Sequence, residues 1–386
     1  MKVLLYDWSN YIAEAVDVIC EERGFSVDKF RWKFEQDEYD EEFIAWFDTN
    51  IEEKKYDFVL SVNFHPMVAI ASNKKGYKYV AWCYDCPLNI TYPEETLSLP
   101  GVYCFLFDRN QYLGYKNNGI DNVYHLPLGF HGSKAVNMQE NSAIKNRYEC
   151  DIAMVGSLYE SQLPLIVGAL DDNTKNAISE LIHNQEELYN YNLIKECITD
   201  ELIQYMNSQN ASKLEGTGRS FSVNAKAFEF ALSCEVTRRN RLVLLSLFSK
   251  RYDTRLYSGE SYELLADVQQ CGRVDYRTEM PYVFKYSKIN LNPSLRCIET
   301  GIPLRVFDIM GYGGFVLTNY QQEIEEMYVA DEEVVMYDCY ADAMEKATYY
   351  LKNEDIRQRI ACRGQAKTLE KYTLQAAFDK ILKKIE

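Results

Sequence analysis

The sequence predicts two α/β domains in tandem, each built on a parallel sheet, with a helical insertion in the second. Three observations carry this expectation. Short apolar runs alternate with helical stretches through the first third of the chain, a second such series begins near residue 151, and a polar stretch at 132–148 lies between them. Alternation of this kind brings strands side by side with crossover helices between them, because parallel neighbours need a long return connection. Such domains hold ligands outside the carboxyl ends of their strands. If those ends face one another, the active site is the cleft between the domains.

The first series opens with the strand "KVLLY" (2–6) and a helix through "YIAEAVDVICEERG", which stops on Gly24. "YDFVLSV" (56–62), "KYVAWCY" (78–84), "GVYCFLF" (101–107) and "NVYHLPL" (122–128) follow as buried strands. Residues 132–148 are polar and nearly free of large apolar groups, and read as a linker, which puts the first domain at 1–148. The second series runs through "DIAMVGS" (151–157), "DTRLYSG" (253–259), "KINLNPS" (288–294), "GFVLTN" (314–319) and "EVVMYD" (333–338). Between its first two strands lies a polar helical insertion, about 160–248. The second domain ends near 365, where Gly364 suggests a break, and a last helix occupies 366–386.

Composition narrows the function. Hydrophobic residues make up 47% and charged residues 26% of the 386, as in a globular protein with substantial cores. The net charge of −16 argues against nucleic acid and anionic membranes as partners, since both need basic patches. No run long enough to span a bilayer occurs, and the N-terminus lacks the pattern of a signal peptide. The eleven cysteines are scattered, which fits reduced thiols in a cytoplasm better than a disulfide framework. Neither series has GxGxxG after its first strand, so a dehydrogenase is disfavoured. No Asp-x-Asp pair exists to clamp a metal–diphosphate, and no second Cys/His cluster completes a zinc site around "CYDCP" (83–87).

The stretch "GIPLRVFDIMGYGGFVLTN" (301–319) raises a question of charge. Pro303 suits the first position of a helix, and Gly311, Gly313 and Gly314 suit its end. Within it Arg305 precedes Asp308, the reverse of the order a helix dipole favours. A bound anion at the helix start, met by the amides after Gly301 and by Arg305, would explain that order. An ordinary Arg–Asp helical pair is the alternative.

This stretch, with "VGSLY" (155–159) and "MPYVFKYSKINLNPSLR" (280–296), resembles the nucleotide-sugar domain of GT-B-fold glycosyltransferases. More narrowly it is similar to the CgeB-like, or spore-maturation-like, group; "YVAWCYDCPL" (79–88) and "CFLFDRN" (104–110) are similar to that group's N-terminal domain. The resemblance implies two Rossmann-like domains facing a central cleft, with the acceptor bound by the first and the donor by the second. It also implies a terminal helix that crosses back, and transfer without a metal or other cofactor.

It further implies a set of site residues. Asp308 would hold the donor ribose, while Gly301, Ile302 and Arg305 would face the diphosphate, approached also by Gly156 and Ser157. The main chain of Arg273 and Val274, in "CGRVDY" (271–276), would read the nucleobase, although a plain turn is an equal alternative. Asn292 and Arg296, in "NLNPSLR", would face the phosphates or sugar, with an Arg296–Glu299 pair as the alternative. Asp85, just past a central strand, is the candidate catalytic base; capping the turn before Pro87 is its alternative role. His65, in "NFHP", is the other candidate. The expected function is transfer of a sugar from a nucleoside-diphosphate sugar to a protein, glycan or small-molecule acceptor. A nucleotide-sugar epimerase and a non-catalytic sugar-binding protein are the competing readings.

Overall fold

The computed structural model describes residues 1–7, 11–34, 39–88, 90, 93–131, 138, 141–214 and 221–386. The chain forms two compact units. One comprises Met1–His131, Thr300–Leu304 and Lys371–Glu386; the other comprises Gly132–Glu299 and Arg305–Glu370.

The first unit holds a six-stranded sheet of β1 (Lys2–Tyr6), β2 (Ser26–Phe30), β3 (Phe58–Val62), β4 (Tyr79–Trp82), β5 (Val102–Leu106) and β6 (Val123–His125), in the order β2-β1-β3-β4-β5-β6. Every pair is parallel. A parallel sheet is covered on both faces, so its inner strands read as continuous apolar runs. Alternate side chains then feed two separate cores. Leu4, Val59, Tyr79, Ala81 and Cys104 enter one of them. Val3, Leu5, Phe58, Leu60, Val80, Trp82 and Phe105 enter the other, where the helices Tyr11–Glu22 and Leu374–Ile385 cover them with Val16, Ile19, Phe378 and Ile381.

The second unit holds β7 (Cys150–Val155), β8 (Thr254–Tyr257), β9 (Gln269–Gln270), β10 (Ser287–Asn292), β11 (Val316–Asn319) and β12 (Val335–Tyr337), ordered β12-β11-β10-β7-β8-β9 and again parallel throughout. The expected insertion is helical, and its described residues contain no strand. Its last helix, Ala225–Ser249, does two jobs. Phe228, Leu232 and Val236 close a core of the insertion's own, whereas Leu244, Leu245 and Phe248 pack on the sheet as the crossover between β7 and β8.

Several local expectations need correction. β2 and β9 were not anticipated; both are sheet edges, and edge strands carry polar residues that hide the apolar signal. Within the expected linker, Ser142–Tyr148 is a helix capped by the Asn141 side chain, while 132–137 and 139–140 lie outside the described residues. The helix Glu354–Lys371 runs straight through Gly364, and the interruption comes at Tyr372–Thr373. Gly364 is there for proximity rather than for a break: a Cβ would collide with the Glu333 carbonyl and the Met310 methyl. The helix expected to open at Pro303 begins at Leu304, because Thr300 and Gly301 are held outside it. Their amides both donate to Asp108 Oδ2, each at 2.9 Å.

Candidate functional site

At the carboxyl end of β7 the chain turns through Gly156–Glu160 and wraps a carboxylate. Ser157 Oγ lies 3.0 and 2.9 Å from the two oxygens of Glu260, and the amides of Leu158 and Glu160 also donate to that carboxylate. Ser258 adds a hydroxyl at 3.4 Å. Burial alone would raise the Glu260 pKa, but these donors together hold it below the usual glutamate range. The turn is strained: Tyr159 sits at φ +56°, a conformation an aromatic residue rarely adopts, and its amide donates to Ser157 Oγ at 2.8 Å. Arg241, from the long crossover helix, explains how it is held. Its guanidinium is buried, donates twice to the Pro293 carbonyl (3.1 and 2.7 Å) and once to the Ser157 carbonyl, and lies 4.7 Å from the Tyr159 ring centroid.

A second cation lies within electrostatic reach of the first. Arg305 acts electrostatically on both Tyr159 and Arg241. It contacts Asp308 Oδ2 at 3.3 Å and Met280 Sδ at 2.6 Å, and lies over the Phe284 ring. Asp308 is 2% exposed. Its other oxygen accepts from the Tyr276 hydroxyl at 3.0 Å. Burial pushes the Asp308 carboxyl up to about 6, against the pull of Arg305 and Tyr276. The turn Ser157–Glu160, Arg241, Tyr159, Arg305 and Asp308 thus form one group in the second unit: two guanidinium groups and exposed-end amides, balanced by the carboxylates of Glu260 and Asp308.

The remaining expected donor residues divide. Arg273 is exposed, with its guanidinium folded over Gly259 beside Glu260, and Val274 packs on the small core around Tyr257. Arg296 does not face a ligand space. It is buried, donates to the carbonyls of Gln185 (3.2 Å) and Glu186 (3.3 Å), and stacks 4.4 Å from the Tyr189 ring. There it neutralises the carbonyl end of the helix Asp172–Gln185, a more local task than binding phosphate. Nor does it pair with Glu299, whose carboxylate lies near Lys195 and Asn192. Asn292 is likewise committed inward, donating to Ser294 and Thr318 at 3.1 Å each. Gly301 and Ile302 belong to the first unit, and the anion at the Gly301 amide is the protein's own Asp108. A Cβ on Gly301 would fall 2.8 Å from Asp108 Cα and from the Phe107 carbonyl, so only glycine fits there.

Both candidate bases sit past strand ends of the first unit. Asn63, at φ +62° after β3, accepts from the Tyr84 and Asp85 amides (2.8 and 3.1 Å) and donates to Asp85 Oδ2 at 2.5 Å. Desolvation raises the Asp85 pKa even so. His65 lies edge-on to Tyr6 and bonds the Val62 carbonyl through Nε2; burial drops its pKa to about 4. The eleven cysteines are all free, and Cys83 and Cys104 share a sulfur–sulfur hydrogen bond at 3.6 Å rather than a disulfide. Among the described residues no cluster of three or more His, Cys, Asp or Glu could hold a metal ion, and no helix is long and apolar enough to cross a membrane.

Residues 231–383 match the family described as glycosyl transferase-like. That stretch, most of it in the second unit, is a glycosyl transferase-like domain. The matched stretch takes in β8–β12 together with Arg241, Glu260, Arg305 and Asp308. No curated protein matches the sequence significantly. Solved structures are similar over the whole chain. HepE of Anabaena, in complex with UDP and glucose, has TM-score 0.54 at 10% identity, covering 100% of this chain and 99% of its own. Sucrose-phosphate synthase of Thermosynechococcus elongatus has TM-score 0.57 at 8% identity, with coverage of 100% and 99%. A UDP-forming α,α-trehalose-phosphate synthase of Burkholderia xenovorans has TM-score 0.54 at 12% identity, with coverage of 100% and 98%. At such identities the likeness establishes the fold: the two Rossmann-like units are those of the GT-B architecture.

Sequence reasoning missed Arg241, Tyr159, Tyr276 and Glu260. Glu260 carried one usable signal, since "YSGE" follows a strand at the end where ligands bind. Arg241 carried none, because its helix read as part of an insertion.

Proposed function

We propose that this glycosyltransferase takes a sugar from a UDP-sugar, without a metal, and belongs to the CgeB-like group. One observation carries the donor reading: a turn already shaped for an anion, with Ser157, Leu158 and Glu160 as donors, is braced by Arg241 and lies within electrostatic reach of Arg305. The diphosphate would take the place of the Glu260 carboxylate. Amides and guanidinium groups fixed in a buried setting stabilise charge as it develops on a leaving group, without reorganising. Asp308 would accept from the ribose hydroxyls in place of the Tyr276 hydroxyl. The choice of UDP is supported by the ligands of HepE and by the UDP-forming neighbour.

For an inverting transfer, Asp85 is the better base. Its carboxyl is raised by desolvation yet reaches solvent, and Asn63 orients it. His65, with its pKa near 4 and its ring packed among aromatic residues, is a weak proton acceptor. The test is UDP release from UDP-glucose with an acceptor panel, run on wild type and on Asp85→Asn. The variant should bind UDP normally, melt near the wild-type temperature and lose turnover by about 100-fold or more, the scale of general-base catalysis. Near-normal turnover would remove Asp85 as the base, and no UDP release or UDP binding by the wild type would remove the donor reading itself.

A further inference from the structure

A second ligand space opens at the carboxyl ends of β11 and β12, a cavity of about 410 Å³ lined by Glu187, Tyr189, Asn190, Tyr320 and Asp338. Tyr320 follows β11 and Asp338 follows β12; Glu187–Asn190 form the turn after the helix Asp172–Gln185. β11 and β12 are separated by β10 from β7, whose end carries the Ser157 turn, so this is a distinct place on the same sheet.

Its rings are held in position. Tyr189 stacks on the Arg296 guanidinium, meets Tyr337 edge-on at 5.8 Å, and accepts from Asn240 at 3.2 Å. Tyr320 donates its hydroxyl to Glu325 at 2.7 Å. The polar groups are less committed. Glu187 spends one oxygen on the Tyr340 amide, 2.6 Å away. The side chains of Asn190 and Asp338 make no hydrogen bond to another described residue.

The lining chemistry selects a ligand class. Two carboxylates and no cation exclude phosphates and nucleotides by charge. No aliphatic side chain lines the space, so a lipid or apolar drug-like ligand gains little. Two carboxylates without a third ligand fall short of a metal site. Two tyrosine side chains, carboxylates to accept from hydroxyl pairs, and a carboxamide that both donates and accepts suit a neutral polyol. The volume lies in the range of small-ligand sites, about 300–1,000 Å³. We infer that this cavity binds an uncharged saccharide unit. Resting on the proposed transfer, this would be part of a glycan acceptor.

Saturation-transfer NMR on the full chain tests it, with the methyl glycosides of glucose, galactose, mannose and N-acetylglucosamine as probes, each with and without saturating UDP. At least one glycoside should receive saturation at millimolar concentration and keep it when UDP is present. Tyr320→Ala and Asp338→Asn should each weaken it at least fivefold while leaving UDP affinity unchanged. Asp338 is exposed, so its variant keeps the test valid if Tyr320→Ala is poorly folded. No saturation of any glycoside, loss of the signal on adding UDP, indifference to Asp338→Asn, or binding of tetramethylammonium in place of sugar would each overturn the inference. UDP binding without glycoside binding sinks this cavity alone; glycoside binding without UDP binding sinks the donor reading and leaves the cavity.

Discussion

At the scale of single residues, Asp308 shows how a site can cost a fold stability. Buried, its carboxyl ionises near pH 6, against about 3.9 in an unfolded chain. The folded protein therefore holds this proton more tightly. The group's contribution to stability is complete below about pH 4 and is lost as pH rises through about 6. Asp308→Asn keeps the uncharged form at every pH. We expect the variant to be more stable than wild type at pH 7.5 by about 2–3 kcal/mol at most, since each pK unit is about 1.4 kcal/mol. The difference should close toward pH 4. If Asp308 holds the ribose, the same variant should bind UDP about tenfold or more weakly, and wild-type affinity should rise with pH up to about 6. Melting curves and calorimetry across pH 4–8 check both halves. Unchanged UDP affinity in the variant would remove Asp308 from the donor site.

Among elements, the decisive one is the short approach to the helix Leu304–Gly311. Ahead of the helix the Thr300 and Gly301 amides meet Asp108, which also caps the helix Arg109–Asn117 through the Gln111 amide. One buried carboxylate thereby caps one helix and holds the approach to another. The price is the close approach at Gly301. Gly301→Ala would drive a methyl into backbone atoms at 2.8 Å, which cannot yield as a side-chain tip can. We expect a loss of about 1–3 kcal/mol, the overpacking range, read as a lower urea midpoint with an unchanged slope. Wild-type stability in the variant would mean that the Asp108 clasp gives way freely. Central strands such as β3 and β4 were legible because parallel burial makes them apolar end to end. The edges β2 and β9 were not, and neither was the Asp108 clasp on Thr300 and Gly301, because its two sides lie far apart in the chain.

For the whole molecule, charge poses a problem of supply. The chain carries −16 overall, yet its proposed donor is an anion. Attraction must come from local groups, and Arg241 and Arg305 with the Ser157–Glu160 amides are the proposed source. Transfer should accordingly survive EDTA, whereas Arg305→Ala should weaken UDP far more than uridine. Rates abolished by chelation and restored by magnesium or manganese would contradict the first expectation, and equal losses for UDP and uridine the second.

Pattern alone determined the architecture: two runs of alternating strands and helices leave a parallel sheet in each half as the way to bury their apolar segments. The motif at 301–319 and the turn at 155–159 also contain Arg305, Asp308 and Ser157, which belong to the site proposed for the donor. What each polar side chain does there was decided by tertiary structure. Arg296 and Asn292 look like ligand groups in the sequence but satisfy buried carbonyl and hydroxyl partners, while Arg241 and Glu260 come from elements far along the chain. Apolar periodicity is a local property that a sequence displays directly. The partner of a buried charge is fixed only when folding brings distant segments together, since desolvation compels each such group to find whatever donor or acceptor lies within reach.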